Sequence, residues 1–232
     1  MRVAIMQPYF MPYIGYFQLI GAVDLFIVYD NIKYTKKGWI NRNRMLQDGQ
    51  DIVFSLPLKG GSDALDVRDR SLAGDFDRAK LLRRFEEAYR RAPYFRQGFA
   101  LVEQSLGCAE QNLFGFLHHS IASACEHLGI ATEIQASSSI PIDHALKNTD
   151  KVVALCQAVG ARSYVNAIGG TALYAKEEFR AHGLDLAFVQ SRPLQYAQFG
   201  QPFVPWLSIV DVLMFNSLDT VRGCVESGYD LI

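Results

Sequence analysis

Residues 2–30 read RVAIMQPYFMPYIGYFQLIGAVDLFIVYD, and the order of apolar and breaking residues in this stretch decides the fold. Residues 3–6 form a short apolar run cut off at Gln7-Pro8, as expected of a buried strand stopped where a backbone donor is missing. Residues 14–23 have the length and composition of a helix. Residues 25–29 form a second apolar run that ends at Asp30. Strand, loop, helix and strand within about thirty residues is the pattern of a crossover unit, whose two strands lie parallel in one sheet.

Outward from this unit, residues 52–58 offer a third strand, closed by Pro57 and the glycines after it. A helical stretch follows. Phe76, Ala79, Leu82, Phe85 and Tyr89 recur at three- and four-residue spacing, and residues 95–106 supply a second helix. Leu113, Phe116, Leu117, Ile121, Cys125 and Leu128 mark a third, which Gly129 ends. Alternation then resumes, with strands at 132–135, 163–167 and 186–189 and helices at 152–159, 173–181 and 207–215. No internal repeat, low-complexity segment or linker divides the 232 residues. The expectation is one α/β domain over residues 1–232, built on a mostly parallel, Rossmann-like sheet with a helical insertion at about residues 75–129.

Half of the residues are apolar, a fifth are charged and the net charge is −1. That balance is ordinary for a globular protein and unlike a surface that grips nucleic acid or an anionic membrane over a broad area. The opening MRVAIMQPYF is interrupted by Gln7 and Pro8, which argues against a signal peptide. No apolar run approaches the roughly 20 residues needed to span a bilayer. The four cysteines (Cys108, Cys125, Cys156 and Cys224) are far apart and form no CxxC pair. Cys125 and Cys156 fall on apolar helical stripes, where a thiol acts as a small hydrophobe. A reducing cytoplasm is the expected location. His118 and His119 are adjacent and so do not share a helix face for a metal. HxxxH, GxSxG and Walker-type sequences are absent, so metal hydrolase, α/β-hydrolase and P-loop chemistry fall away, and neither metal nor cofactor is expected.

In open parallel sheets, ligands bind beyond the carboxyl ends of the strands, so the polar residues after each strand are the candidate site. After the first strand come Gln7, Tyr9, Gly15 and Tyr16, in a loop fixed by two prolines and followed by a helix N-terminus that can meet an anion. After the second comes Asp30, which could serve as a general base, a metal ligand or a turn cap. The basic stretch that follows carries Lys36, Lys37, Trp39, Asn41, Arg42, Asn43 and Arg44, a set suited to a diphosphate. Further on stand Ser137 to Ser139 and then Asn166 before Gly169-Gly170. Tyr196 and Gln198 lie in a proline- and glutamine-rich stretch. Asp211 sits on an apolar helical segment, where a carboxylate needs a partner. Asp30, Asp211 and Lys37 are the candidates for catalysis. Gln7, Tyr9, Gly15, Tyr16, Trp39, Asn41, Arg42, Asn43, Arg44, Ser138, Asn166, Tyr196 and Gln198 are the candidates for binding. The N-terminal loop and residues 195–211 are expected to close over one pocket, shared by Gln7, Tyr16, Tyr196, Gln198 and Asp211 and reached by Asp30 and the basic stretch.

Together these segments resemble the WbqC-like protein family. The resemblance runs, in order, through QPYFMPYIGYFQLI (7–20), DNIKYTKKGWINRNRM (30–45), APYF (92–95), Ser137-Ser138, VNAIGGTALY (165–174) and PLQYAQFGQPFVPWLSIVDVLMFN (193–216). It implies a place in gene clusters for O-antigen and other surface glycans, lipopolysaccharide among them. It also implies transfer of an acyl or aminoacyl group to the amine of a nucleotide-linked sugar, so the partners expected are that sugar and an acyl or aminoacyl donor. Tyr13-Ile14-Gly15-Tyr16 further resembles the His-x-Gly-His motif of HIGH-type nucleotidyltransferases, with tyrosine in place of both imidazoles. A nucleotidyltransferase with an altered motif is therefore one alternative. A non-catalytic binding protein of a glycan-assembly complex is the other.

Overall fold

A computed structural model describes residues 1–62 and 64–232 of the chain. The chain begins with β1 (Arg2–Met6), α1 (Ile14–Gly21) and β2 (Leu25–Val28). A hairpin follows, β3 (Arg42–Gln47) and β4 (Gln50–Ser55), then α2 (Arg78–Tyr89), α3 (Phe95–Leu106) and α4 (Leu113–Leu128). The remainder is β5 (Glu133–Ala136), α5 (Asn148–Ala158), β6 (Ser163–Ala167), α6 (Lys176–Ala181), β7 (Asp185–Ser191), α7 (Ile209–Phe215), α8 (Leu218–Ser227) and β8 (Tyr229–Leu231). Six strands make one sheet in the order β5-β2-β1-β6-β7-β8. All its pairings are parallel except that of β8, which runs against β7. The fold is thus α/β with a mostly parallel, Rossmann-like sheet, and the crossover unit at the N-terminus sits at its centre, Val3 opposite Leu25 and Met6 opposite Val28.

Alternation along the buried strands sorts their side chains between two layers. Ala4, Phe26, Val28, Val165 and Val189 pack with α1, α4, α7 and α8 on one face. Val3, Ile5, Leu25, Ile27, Tyr164, Leu186 and Phe188 pack with α5 and α6 on the other. Gln18 is buried within α1 yet fully employed. Its amide donates to the carbonyls of Cys224 (2.8 Å) and Gly228 (3.0 Å), and its oxygen accepts from the Ser191 hydroxyl (2.6 Å). This ties α1 to α8 and to the end of β7. Burial pushes the thiols of Cys125 and Cys156 up to about 12, as befits packing residues.

Two expectations change. Residues 52–58 do not join the sheet. Residues 50–55 are β4, paired antiparallel to β3 in a separate two-stranded sheet. The turn between them is Asp48-Gly49, both at positive φ (52° and 76°), which suits the twist of a tight hairpin. Nor does the excursion begin near residue 75. Because β2 and β5 are neighbours, everything between Asp30 and Glu133 leaves the sheet and returns to it, the basic stretch and the hairpin included. The core of this excursion joins Met45, Leu46 and Phe54 of the hairpin to Phe85, Tyr89, Val102 and Phe116 of the helices. It is closed by Phe10 and Met11 from the N-terminal loop and by Val210, Met214 and Phe215 from α7. No helix among the described residues is long and apolar enough to cross a membrane.

Where α3 crosses α7, Gly98 permits close approach: a Cβ there would lie 2.8 Å from Sδ of Met214, which is fully buried. We expect Gly98→Val to cost about 2 kcal/mol through overpacking, read as a lowered urea midpoint. An unchanged midpoint would mean that Met214 moves aside freely.

Candidate functional site

Three distant stretches meet beyond the carboxyl ends of the central strands. Asn43 on β3 donates its amide to the carbonyls of Phe10 (3.1 Å) and Met11 (3.0 Å), and the Phe10 amide returns a bond to the Ile40 carbonyl (3.1 Å). Ser208 caps α7 and donates its hydroxyl to the Met11 carbonyl (2.7 Å), while the Ile209 amide reaches the Pro12 carbonyl (2.8 Å). The Ser208 amide reaches the Arg44 carbonyl at 3.0 Å. The N-terminal loop belongs to no strand or helix, and its carbonyls take their donors from β3 and the start of α7.

Beneath this seam lies Asp211, with no exposed surface. Its carboxylate accepts from Tyr89 Oη (2.8 Å), Tyr196 Oη (2.6 Å) and Gln198 Nε2 (2.8 Å). Tyr89 Oη in turn accepts from the Leu46 amide (2.8 Å). Burial raises the Asp211 pKa, and the three donors oppose that rise. Gln198 also binds Val204 through both its oxygen and its nitrogen (2.7 and 3.2 Å), which fixes the loop between β7 and α7.

Above the seam runs an open groove in two halves. One half, about 280 Å³, is lined by Tyr9, Pro12, Tyr13, Trp39, Asn43, Arg44 and Trp206. The other, about 260 Å³, runs from Tyr13 and Ile14 along residues 191–196 to Trp206 and Leu207. The rings of Tyr13 and Trp206 meet edge to face, 5.9 Å between centroids, where the halves join. Trp206 is 65% exposed and holds a φ of 61°, a strained conformation for a bulky residue, fixed by a bond from Arg44 Nη2 to its carbonyl (3.1 Å). Trp39 lies under two guanidinium groups, Arg42 at 5.7 Å and Arg44 at 5.5 Å from the ring centroid. The two arginines share a face because residues 42–47 are extended.

A separate cluster forms where β2 and β5 end. Asp30 accepts from the Ser137 hydroxyl (2.8 Å), the Ser138 amide (2.9 Å) and the Ser138 hydroxyl. Burial pushes the Asp30 carboxyl up, but the Ser138 and Ser137 donors outweigh it and hold the group below the ordinary aspartate range. Asn31 bonds to His144 Nδ1 (2.9 Å), and Lys151, itself buried, donates to the Asn31 carbonyl (3.3 Å) and side-chain oxygen (3.2 Å). Burial lowers the Lys151 pKa, against the pull of Asp66 and Asp30. Among the described residues, no group of three or more acidic, histidine or cysteine side chains could hold a metal.

The structure brings Tyr9, Trp39, Asn43, Arg44 and Tyr196 to the groove and distributes the other candidates elsewhere. Tyr16 is in the core, its hydroxyl donating to the Gln7 carbonyl (2.9 Å). Gly15 lies under the Tyr13 ring, where a Cβ would be 2.3 Å from a ring carbon. The Gln7 side chain meets Tyr9 Oη at 3.3 Å, outside both halves of the groove. Gln198 and Asp211 face inward, so the expected common cavity for Gln7, Tyr16, Gln198 and Asp211 is corrected: the two segments do join, but these four side chains form the joint or the core. Asn41 is taken up by Tyr34 Oη (2.7 Å) and the Leu56 carbonyl (2.8 Å). Asn166 accepts from the Ala167 amide (2.7 Å) and packs on Gly170. Arg42 donates to the carbonyls of Gly38 (2.9 Å) and exposed Lys37 (2.6 Å), so part of its fork braces its own loop. Tyr13 and Trp206 also line the groove, although neither is among the binding candidates named from the sequence. The signal was present in both: an aromatic residue directly after proline, at positions 12 and 205.

Opposite behaviour is expected of the two buried aspartates. Asp211→Asn replaces an acceptor by a donor facing three donors, and we expect a loss of about 3 kcal/mol in urea unfolding. An unchanged midpoint would return Asp211 to the catalytic candidates. Asp30, with its pKa depressed, contributes stability that is complete above the unfolded pKa of about 3.9 and is lost as pH falls through the lower folded value. Asp30→Asn should therefore be less stable than the parent at neutral pH, with the gap narrowing below about pH 4. A gap independent of pH would show that the carboxylate charge is not what holds this corner.

The WbqC-like protein family matches residues 7–223 of the chain. A Mycobacterium tuberculosis (strain ATCC 25618 / H37Rv) protein named "Uncharacterized protein Rv1507c" is 31% identical over 232 residues, covering 96% of this chain and 98% of the relative. No solved structure matches. The match spans both the sheet and the excursion and includes every groove residue named above: the chain belongs to the WbqC-like protein family.

Proposed function

We propose that the protein is an enzyme of surface-polysaccharide assembly that holds a nucleotide-linked amino sugar in the groove between Trp39 and Trp206 and transfers an acyl or aminoacyl group to its amine. The observation that carries this reading is the placement of the chain's two tryptophans, 39% and 65% exposed, on one groove together with Tyr9, Tyr13 and Arg44. Flat rings with a polar edge suit a base or a sugar face, and guanidinium N–H groups suit phosphate oxygens. Each guanidinium has five donors. Arg44 commits one N–H to Asp51 (2.8 Å) and one to the Trp206 carbonyl (3.1 Å), and its Nε is buried, so the remaining terminal N–H groups are those that could meet a phosphate. In the transfer, the amine nitrogen bonds to the acyl carbon. The donor's carbonyl–heteroatom bond breaks with its electron pair on the leaving group, which takes up the proton that the amine loses. Asp211 is sealed, and a carboxylate held as low as Asp30 is a weak base. Of the three catalytic candidates, Lys37, exposed on the loop leading to Trp39, is the one whose side chain is not taken up in a buried network.

The nucleotidyltransferase alternative is disfavoured by Tyr16. The second aromatic of the Tyr13-Ile14-Gly15-Tyr16 motif is buried and its hydroxyl is already donated, so it offers nothing to a transferring phosphate.

Titration with nucleotide-linked amino sugars should quench the indole emission. Trp39→Ala and Trp206→Ala should each weaken binding about tenfold, the scale of one lost stacking contact. Arg44→Lys should also weaken it, although the charge is kept. Nucleotide sugars that change neither emission nor thermal midpoint at millimolar concentration would end this reading. Binding without any acylated product detectable by mass spectrometry, across acyl and aminoacyl donors, would favour the non-catalytic alternative.

A further inference from the structure

The second half of the groove differs in chemistry from the first. Behind the Tyr13–Trp206 contact, its walls are Ile14 at the start of α1, Leu194 after β7, and Phe203 and Leu207 from the segment before α7. The polar side chains that reach it are largely engaged elsewhere. Ser191 donates its hydroxyl to Gln18 Oε1 at 2.6 Å, Tyr196 donates to Asp211 at 2.6 Å, and the Arg192 guanidinium clasps Asp230. No aspartate or glutamate is among the lining residues. A cationic guest would find no carboxylate there, and an ammonium left without one is costly to desolvate. A hydrocarbon guest would meet mostly rings, prolines and branched chains, with Ser191, Arg192 and Gln195 along one side.

We propose that this hollow receives the uncharged hydrocarbon part of the transferred group, so that the donor is an aliphatic or aromatic acyl compound and not an aminoacyl one. The assignment rests on the reading of the adjoining half as the nucleotide-sugar site, and it resolves the choice of donor left open there. The strained backbone at Trp206 fits a partition between two subsites: its ring faces both halves, and its carbonyl is held by Arg44 from the phosphate side. The acyl carbon would then lie near the Tyr13–Trp206 edge, where the halves meet.

The test uses the full chain carrying Trp39→Phe, so that Trp206 is the sole indole, excited selectively and titrated with neutral straight-chain alkanamides from acetamide to decanamide. Affinity should rise about fourfold per methylene, the equivalent of about 0.8 kcal/mol, until the hollow is filled, with a blue shift of Trp206 emission. 6-Aminohexanamide should bind at least tenfold more weakly than hexanamide, as a charged end requires. Leu194→Tyr, which fills the hollow, should abolish the alkanamide response. Ile14→Phe serves the same purpose if the first variant melts early. Nucleoside diphosphate binding is measured separately on the chain with both indoles, and should survive Leu194→Tyr. An affinity independent of chain length, or tighter binding of the ammonium compound, overturns the proposal. So does an emission shift that follows protein concentration instead of ligand, which would make the hollow a contact between copies. Alkanamide binding with no nucleoside diphosphate binding would uphold the apolar subsite while removing the nucleotide reading beside it.

Discussion

One buried carboxylate organises the molecule. Asp211 is reached by donors from α2, from the loop after β7, and through Tyr89 from the β3 backbone, so four stretches of chain converge on two oxygen atoms. A carboxylate without surface is tolerated only when its lone pairs are filled. Here the phenols and the amide that fill them belong to residues whose other atoms build the groove or its floor. Remove the carboxylate and Tyr196, Gln198 and Tyr89 lose their common acceptor together. The groove is therefore a surface feature whose shape is set one layer down.

The same economy of parts shows in the basic stretch. From sequence alone, two arginines and neighbouring lysines following a strand suggest a phosphate trap. In the fold, each arginine holds protein as well. Arg42 draws the carbonyls of residues 37 and 38 together, Arg44 pins the Trp206 carbonyl, and both guanidinium groups cover the Trp39 ring. Cation and ring orient one another, and in the proposed function a ligand entering between Trp39 and Trp206 would meet groups already fixed in place. Preorganisation of that kind lowers the entropy lost on binding.

The central strands β1 and β2 were legible because they are buried and read as unbroken apolar runs, closed by Gln7-Pro8 and by Asp30. The hairpin was not, since β3 reads RNRMLQ and buries only part of its length. Its one clear cue, Asp48-Gly49 between two apolar pairs, is a turn signal that the basic residues before it concealed. β8 was missed because a three-residue edge strand carries little periodic signal, and α8 because only Val221 and Val225 mark its buried face. At the candidate groove, the sequence pointed to segments that meet in the fold but carried no signal for the direction of their side chains. Gln198, Asp211 and Tyr16 look like ligand groups in a list of polar residues, yet each is buried against a partner in the fold, for Asp211 one 122 positions away. Periodicity contains no information about that.

The parallel crossover places the first strand at the centre of the sheet, but the loop leaving it is finished by residues near the other end of the chain. Ser208 and Ile209 satisfy the carbonyls of Met11 and Pro12, and Asp211 receives Tyr89 across 122 positions. Closing contacts of such long sequence separation is entropically slow. As the chain is made, the central strands and the helices of the excursion can assemble, while the floor of the groove waits for the last α-helical turns to arrive. Until then Phe10, Met11 and the inner face of the hairpin lack their cover, so the interval before α7 emerges is when this chain is most open to chaperones and to mispairing.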